Sequence, residues 1–281
     1  MNAREVALHT VRDVFAAPGA SARGAQEALD YRARKAGLTG RDRAFATELA
    51  YGAIKMRRAL DWYLQPFIGE RKEPLQPAIH EILRLAIYEI VYTRADEHAT
   101  VFEFVNLAKR HGHRGVANLV NAVLRGFLRD RPGVMTREQF DSDDDYLGTL
   151  YSLPTWLVRQ WRATFGSQIE SICAAVNEPA RTAIVVNTLR RQPEDFVESL
   201  VSAGAKPQRS TIVNESVVLG NAAFATQGEA TAHGAWWIQS ESSAMPVDVL
   251  NPQPEEAVLD VCSGRATRRY RSPLGWQARG A

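Results

Sequence analysis

A chain of 281 residues with 45% hydrophobic and 23% charged side chains has the composition of a globular protein, which excludes a wholly disordered chain and a collagen-like repeat. At about 150 residues per domain its length predicts about two domains. No apolar run approaches the roughly 18 residues that span a bilayer, and the N-terminal MNAREVALHT has no apolar core of the signal-peptide kind. Two cysteines, Cys173 and Cys262, make neither a disulfide framework nor a metal-ligand spacing. The expectation is a cytoplasmic protein with no membrane segment and no metal. The net charge of +2 conceals a division: residues 1–130 carry +5, 131–257 carry −7 and 258–281 carry +4. A basic N-terminal part points to an anionic partner, nucleic acid above all; a solvated helical surface is the alternative.

The first 130 residues read as helices. Ala7, Val11, Val14 and Phe15 mark the first, ended by Pro18-Gly19. Residues 42–64 form one long candidate with Phe45, Leu49, Ala53, Met56 and Leu60 on its stripe. Ile79, Ile82, Leu83, Ala86, Ile87, Ile90 and Val91 follow the i, i+3, i+4 rule of an amphipathic helix, and so do Val101, Phe104, Val105 and Ala108. Val116, Leu119, Val120, Val123, Leu124 and Phe127 complete an all-α bundle.

Arg131-Pro132-Gly133 and the acidic run Asp141, Asp143, Asp144, Asp145 replace apolar periodicity, so residues 131–150 read as a linker with a solvated acidic loop. The run lacks the glycine and distal glutamate of a calcium loop. Pro154 then opens a helix that runs through Trp161, Ile169, Ile172 and Val176. Residues 183–189 (AIVVNTL) read as a strand, Pro193 opens a helix closed by Gly204, and residues 211–219 are a second strand candidate. WWIQ from Trp236 is a third strand candidate, and residues 240–250 a helix. AVLDVCSG reads as a buried strand running into a glycine, either a tight turn or the ligand turn of a Rossmann-like sheet.

Three segments together resemble one known architecture. DRAFATELAYGAIKMRRALDWYL at 42–64 and LRLAIYEIVYTRADEHATVFEFVNLAKRHGHRGVANLVNAVLRGFLR at 83–129 resemble the NusB-like helical domain, with NAVLR at 121–125 the most recognisable element. The stretch from LPTWLVRQW through VVNTLRR to WWIQSESSAMPVDVLNPQPEEAVLDVCSGR, residues 153–265, resembles the Sun/RsmB family of 16S ribosomal RNA cytosine-5 methyltransferases. The resemblance implies a multidomain fold: an all-α NusB-like helical bundle (1–130), a small α+β RNA-binding module (151–235) and the first elements of an α/β Rossmann-like methyltransferase domain (236–265); residues 131–150 read as the linker and residues 266–281, which have neither helical nor strand period, as a disordered tail.

The resemblance also implies ribosomal RNA as partner, S-adenosylmethionine as methyl donor, and a cysteine thiolate that adds to C6 of an exposed cytosine so that C5 takes the methyl group. It places the cofactor turn at Cys262, Ser263, Gly264, Arg265 and Arg268. Where the family reads close to V-L-D-x-C-A-A-P-G-G-K-T, this chain reads VLDVCSGRATRR: Arg265, Ala266 and Thr267 stand at Pro-Gly-Gly and Arg268 at the lysine. No cysteine follows Cys262, so the nucleophile is expected beyond the end of the chain and none is assigned within it. Cys173, on a stripe with Ile169, Ile172 and Val176, reads as core. The departure inside a motif predicts that the native reading frame is lost near Arg265, leaving a truncated, inactive chain. The alternatives are an arginine-rich RNA-binding tail and an RNA-binding NusB-like protein without methyltransferase activity.

Phosphate contact is assigned to Arg57, Arg58, Lys109, Arg110, Arg114, Arg125 and Arg129, with solubilising surface charge the competing reading for each. His98 reads as a capping or packing residue, because no second ligand stands at metal spacing. Trp236 and Trp237 read as packing rather than base-stacking residues. A monomer is expected.

Overall fold

The computed structural model describes residues 1–16, 24–69, 74–179, 181–220, 234–253 and 256–259. They fall into two compact units, Met1–Glu178 and Pro179–Ala281.

The first unit is helical throughout. Its elements are α1 (Ala3–Val14), α2 (Ala25–Ala36), α3 (Gly40–Lys55), α4 (Arg57–Ile68), α5 (Pro77–Tyr92), α6 (Glu97–His111), α7 (Arg114–Asp130), α8 (Asp143–Leu150), α9 (Thr155–Phe165) and α10 (Ile169–Asn177). Helix α5 is the axis of the bundle, packed against α1, α3, α4, α6 and α7. Ile79, Ile82, Leu83, Leu85, Ala86 and Ile87 are all buried, so α5 is apolar around most of its circumference, as a core helix must be. Pro77 at its first turn costs no hydrogen bond. The expected stripes on α6 and α7 face this core through Val101, Phe104, Ala108, Val120, Val123, Leu124 and Phe127. Side-chain caps start several helices: Asn2 accepts from the Glu5 amide, Asp96 from Ala99 and Ser142 from Asp145.

Three expectations change here. The single helix over 42–64 is two helices that meet at Met56 (φ −92°, ψ 16°). The Arg58 amide, in the first turn of α4, donates to Ser152 Oγ at 2.9 Å, a partner far away in sequence. The helix from Pro154 to Val176 also divides, because Gly166 adopts φ +56° and ends α9 before α10 begins. Most consequentially, the segment read as a linker holds helix α8. Asp143, Asp144 and Asp145 occupy its first turn, where the positive end of the helix dipole favours acids. Arg162 pairs with Asp143 and Asp144, and Arg58 with Asp145, so three of the four aspartates of the run are neutralised by ion pairs rather than left in a solvated loop. Leu147, Val158, Ile169 and Cys173 bury a small core of their own beneath it.

The second unit carries a four-stranded antiparallel sheet. Strands β1 (Thr182–Val186), β2 (Gln208–Arg209), β3 (Ser216–Leu219) and β4 (Trp236–Ile238) stand in the order β2-β3-β1-β4. Helix α11 (Pro193–Ser202) covers one face, where Phe196 and Leu200 pack on Ile184, Val186, Val217, Leu219 and Trp236. On the other face Val185 packs with Val213, Trp237 and Ala244 of helix α12 (Glu241–Leu250). Strand β1 is thus covered on both faces, which explains its unbroken apolar run. Gly204 closes α11 at φ +85°. Strand β4 pairs with β1 in the register Val186↔Trp236, so Trp236–Ile238 completes this sheet and does not open a separate domain at residue 236. Residues 257–259, expected to enter a buried strand, are irregular, with Leu259 84% exposed. A strand exists only where a neighbour takes up its backbone groups, and none is presented to them among the described residues.

Candidate nucleic-acid interface

Helices α6 and α7 are joined by only Gly112 and His113 and pack as a hairpin. Their buried faces are spent on the bundle core, so their polar faces meet along a surface groove. At its turn end the groove is lined by Val105, Lys109, Arg114, Ala117, Asn118 and Asn121, around a volume of 540 Å³. Farther along it takes in His98, Phe102, Asn106, Arg125 and Leu128, with a volume of 510 Å³. Each end is of the size that holds a small ligand or a nucleotide.

Helical periodicity builds this wall. Phe102, Asn106 and Lys109 are spaced by four and three residues on α6; Arg114, Asn118, Asn121 and Arg125 are spaced by four, three and four on α7. Lys109 Nζ donates to Asn106 Oδ1 at 3.2 Å and Arg125 Nε to Asn121 Oδ1 at 3.1 Å, so amides orient two of the cations. Among the described residues no carboxylate pairs with Lys109, Arg114 or Arg125. Phe102, 65% exposed, adds an aromatic face beside them. Unpaired cations, amides and an exposed ring are the side chains that take phosphates and stacked bases of a single strand.

The structure therefore gathers three of the seven expected phosphate contacts into one groove. Arg110 sits apart, 3.9 Å from the Glu5 carboxylate on α1. Arg129 forms a solvent-exposed pair with its neighbour Asp130. Arg57 and Arg58 are engaged inside the protein. Arg57 pairs with Glu81 at 2.8 Å and lies over the Phe15 ring at 3.9 Å, while Arg58 donates to Leu153 O and Thr155 Oγ1 besides Asp145. Sequence reasoning passed over Asn106, Asn118, Asn121 and Phe102. Their signal was present as a polar and aromatic series in helical register with the cations.

The remaining candidates resolve as follows. His98 is not a cap, since Asp96 caps α6; it is exposed on the groove wall. Trp236 is buried against Phe196, and Trp237 Nε1 donates to Gln239 Oε1 at 2.7 Å, so both serve the sheet. Cys173 is wholly buried, and burial pushes its thiol up, the opposite of what a nucleophile needs. Cys262, Ser263, Gly264, Arg265 and Arg268 lie outside the described residues, as does the segment 266–281. No helix of the described residues is long and apolar enough to cross a membrane.

Residues 1–129 match the NusB family, and residues 153–225 match the Methyltr_RsmF/B-like, ferredoxin-like domain. A probable ribosomal RNA small subunit methyltransferase B of Bacillus subtilis is 31% identical, over 80% of this chain and 50% of that protein. The protein of the same name from Synechocystis sp. is 30% identical over 94% of this chain and 58% of its own length. The ribosomal RNA small subunit methyltransferase B of Serratia proteamaculans is 28% identical over 80% and 51%. The chain spans about half the length of the curated relatives it matches. The crystal structure of PH0851 shares the fold, with a TM-score of 0.61 at 19% identity over 90% of this chain and 56% of that one.

Proposed function

Since the chain joins a NusB-family domain to an RsmF/B-like ferredoxin-like domain and is homologous to ribosomal RNA small subunit methyltransferases B, we propose that it is the RNA-gripping part of a 16S ribosomal RNA cytosine-5 methyltransferase. The observation that carries this reading is the α6–α7 groove, where Lys109, Arg114 and Arg125 stand without carboxylate partners beside Asn106, Asn121 and Phe102. Cations held by amides rather than by acids keep their charge available for phosphate, and each phosphate they take up releases condensed counterions.

S-adenosylmethionine would supply the electrophilic methyl group. The turn assigned to it carries side chains at Arg265, Ala266 and Thr267 in place of Pro-Gly-Gly. Glycine is what lets a backbone close on a ligand, and the sequence lacks it at these three positions. The reading for the described residues is accordingly recognition of RNA by a cytoplasmic monomer, with Lys109, Arg114 and Arg125 as phosphate contacts.

The test is fluorescence anisotropy of the full chain with a labelled single-stranded 16S ribosomal RNA fragment across a salt series. The expected result is a steep linear fall of log affinity with log salt, and a slope smaller by about 2 in the triple variant Lys109→Ala/Arg114→Ala/Arg125→Ala, at roughly 0.7 per phosphate. An unchanged slope in that variant overturns the assignment of the groove.

A further inference from the structure

Glu5 and His9 stand one helical turn apart on α1, where i and i+4 side chains share a face. That face meets the last turn of α6, which ends on His111. The His9 and His111 rings lie 5.7 Å apart at 65°. One donor atom from each of Glu5, His9 and His111 lies within 4.8 Å of the other two. We propose that these three side chains form a binding site for one divalent transition-metal ion of the zinc class.

A tetrahedral zinc ion with bonds of about 2.0–2.1 Å holds its donors roughly 3.4 Å apart. The three groups therefore need to close by little more than about 1 Å, a small torsional adjustment for half-buried side chains. The site also contains a reason to take an ion. His111 Nε2 is buried and has no hydrogen-bond partner, a state that folded proteins rarely tolerate. Burial makes both imidazoles harder to protonate, which favours the neutral, ligating form. Glu5 supplies the negative charge, and its contact with Arg110, at 3.9 Å, is loose enough to yield.

Three guanidinium groups lie near: Arg12, Arg32 and Arg110. Arg32 is held by both carboxylate oxygens of Asp13. The remaining positive field selects against calcium or magnesium, which depend on carboxylate charge, and leaves an ion bound through imidazole nitrogen. Two imidazoles and one carboxylate leave a fourth position for water.

The experiment is a titration of the metal-free full chain with cobalt(II), followed by visible absorption and then by displacement with zinc. One equivalent should bind with a tetrahedral spectrum and a Kd below about 10 µM. His9→Gln and His111→Gln should each weaken binding at least about tenfold, since loss of even an outer-shell partner of a ligand costs about 10–100-fold. His98→Gln and His113→Gln should leave it unchanged. Zinc should also protect His9 and His111 of the unaltered chain from diethyl pyrocarbonate, a readout that needs no variant. The proposal is overturned if no saturable binding occurs, if binding survives in His9→Gln/His111→Gln, or if zinc protects other histidines instead.

Discussion

Tyr88 on α5 occupies the place where any side chain at position 52 of α3 would stand: a Cβ at Gly52 falls 1.8 Å from Tyr88 Cζ. The tyrosine is fixed there by a hydrogen bond of 2.6 Å to Glu48 Oε1 and by stacking on Tyr92. Burial first, and then the Glu48 carboxylate, push its hydroxyl far above the ordinary tyrosine range, so it remains a donor at any working pH.

Gly52→Ala should therefore destabilise the protein although it replaces a poor helix former with the best one. The helix gains about 1 kcal/mol of propensity, while displacing Tyr88 costs overpacking of about 1–3 kcal/mol and its bond to Glu48 another ~1 kcal/mol. A net loss of about 2 kcal/mol should appear in urea unfolding followed by circular dichroism. In the background Tyr88→Ala the same substitution should cost nothing or stabilise, because the two positions are coupled. Equal effects in both backgrounds would show that the close approach is not the cause.

Arg4 and Glu89 tie α1 to α5. The Glu89 side chain is fully buried, receives two hydrogen bonds from the Arg4 guanidinium, and accepts a third from Thr100 Oγ1 at 2.7 Å. Arg4 also lies over the rings of Phe45 and Phe104. Removing one partner strands a buried charge, so Arg4→Ala should cost about 3–5 kcal/mol. Arg4→Met/Glu89→Leu removes both charges and should recover most of that loss. If the double variant is as unstable as the single one, the ion pair is not the source of the effect.

The His9–His111 pair sets a pH window. Burial first, and then Arg32, His111 and Arg12, lower the His9 pKa, opposed by Glu5. Burial also leads for His111, with Arg12 and Arg110 lowering and Glu5 raising it. Both imidazoles titrate near 6.5 in an unfolded chain. A depressed value means that the unfolded state binds protons more tightly, so this contribution is complete above about pH 6.5 and is lost as pH falls through the folded values. In chelator-treated protein the urea midpoint should drop between pH 7.5 and 5.5, and His9→Gln/His111→Gln should flatten that drop. A midpoint equally pH-dependent in the variant would assign the effect elsewhere.

The legible parts of this protein are those whose signals are local. The α7 stripe from Val116 to Phe127, the Pro193 start and Gly204 stop of α11, and the β-branched run of β1 each carry their own periodicity or breaker. The break at Met56 was hidden because the partner of the Arg58 amide is Ser152, supplied from another part of the chain. Helix α8 was hidden for a different reason. Ser142 followed by three aspartates is a helix N-terminus as well as an acidic loop, and the arginines that decide between them, Arg58 and Arg162, come from α4 and α9. The same holds for the sites. Charge showed that residues 1–130 are basic as a whole, but not that Arg57 and Arg58 are consumed internally. The spacing rule that excluded a metal counted neighbours in sequence, whereas Glu5 and His9 meet His111 only after folding.

That distinction yields the sharpest test of the interface, because stability and RNA affinity should separate by residue. Arg58 donates to Leu153, Thr155 and Asp145 and is about one-third exposed, so Arg58→Ala should lower stability by about 1–2 kcal/mol after allowance for solvent screening. It should leave the salt dependence of RNA binding intact. Lys109→Ala/Arg125→Ala removes two groups whose hydrogen bonds go to Asn106 and Asn121 on the surface. Such exposed substitutions should alter stability by no more than about 0.5 kcal/mol and reduce the salt slope by about 1.4 on single-stranded RNA. Phe102→Ala should act in a third way: loss of base stacking should weaken affinity by about 1–3 kcal/mol at every salt concentration, with the slope unchanged. Urea unfolding and anisotropy measured on the same three variants check all of this. A reduced slope in Arg58→Ala, or an unchanged one in Lys109→Ala/Arg125→Ala, would mean that the RNA lies on a different face of the bundle.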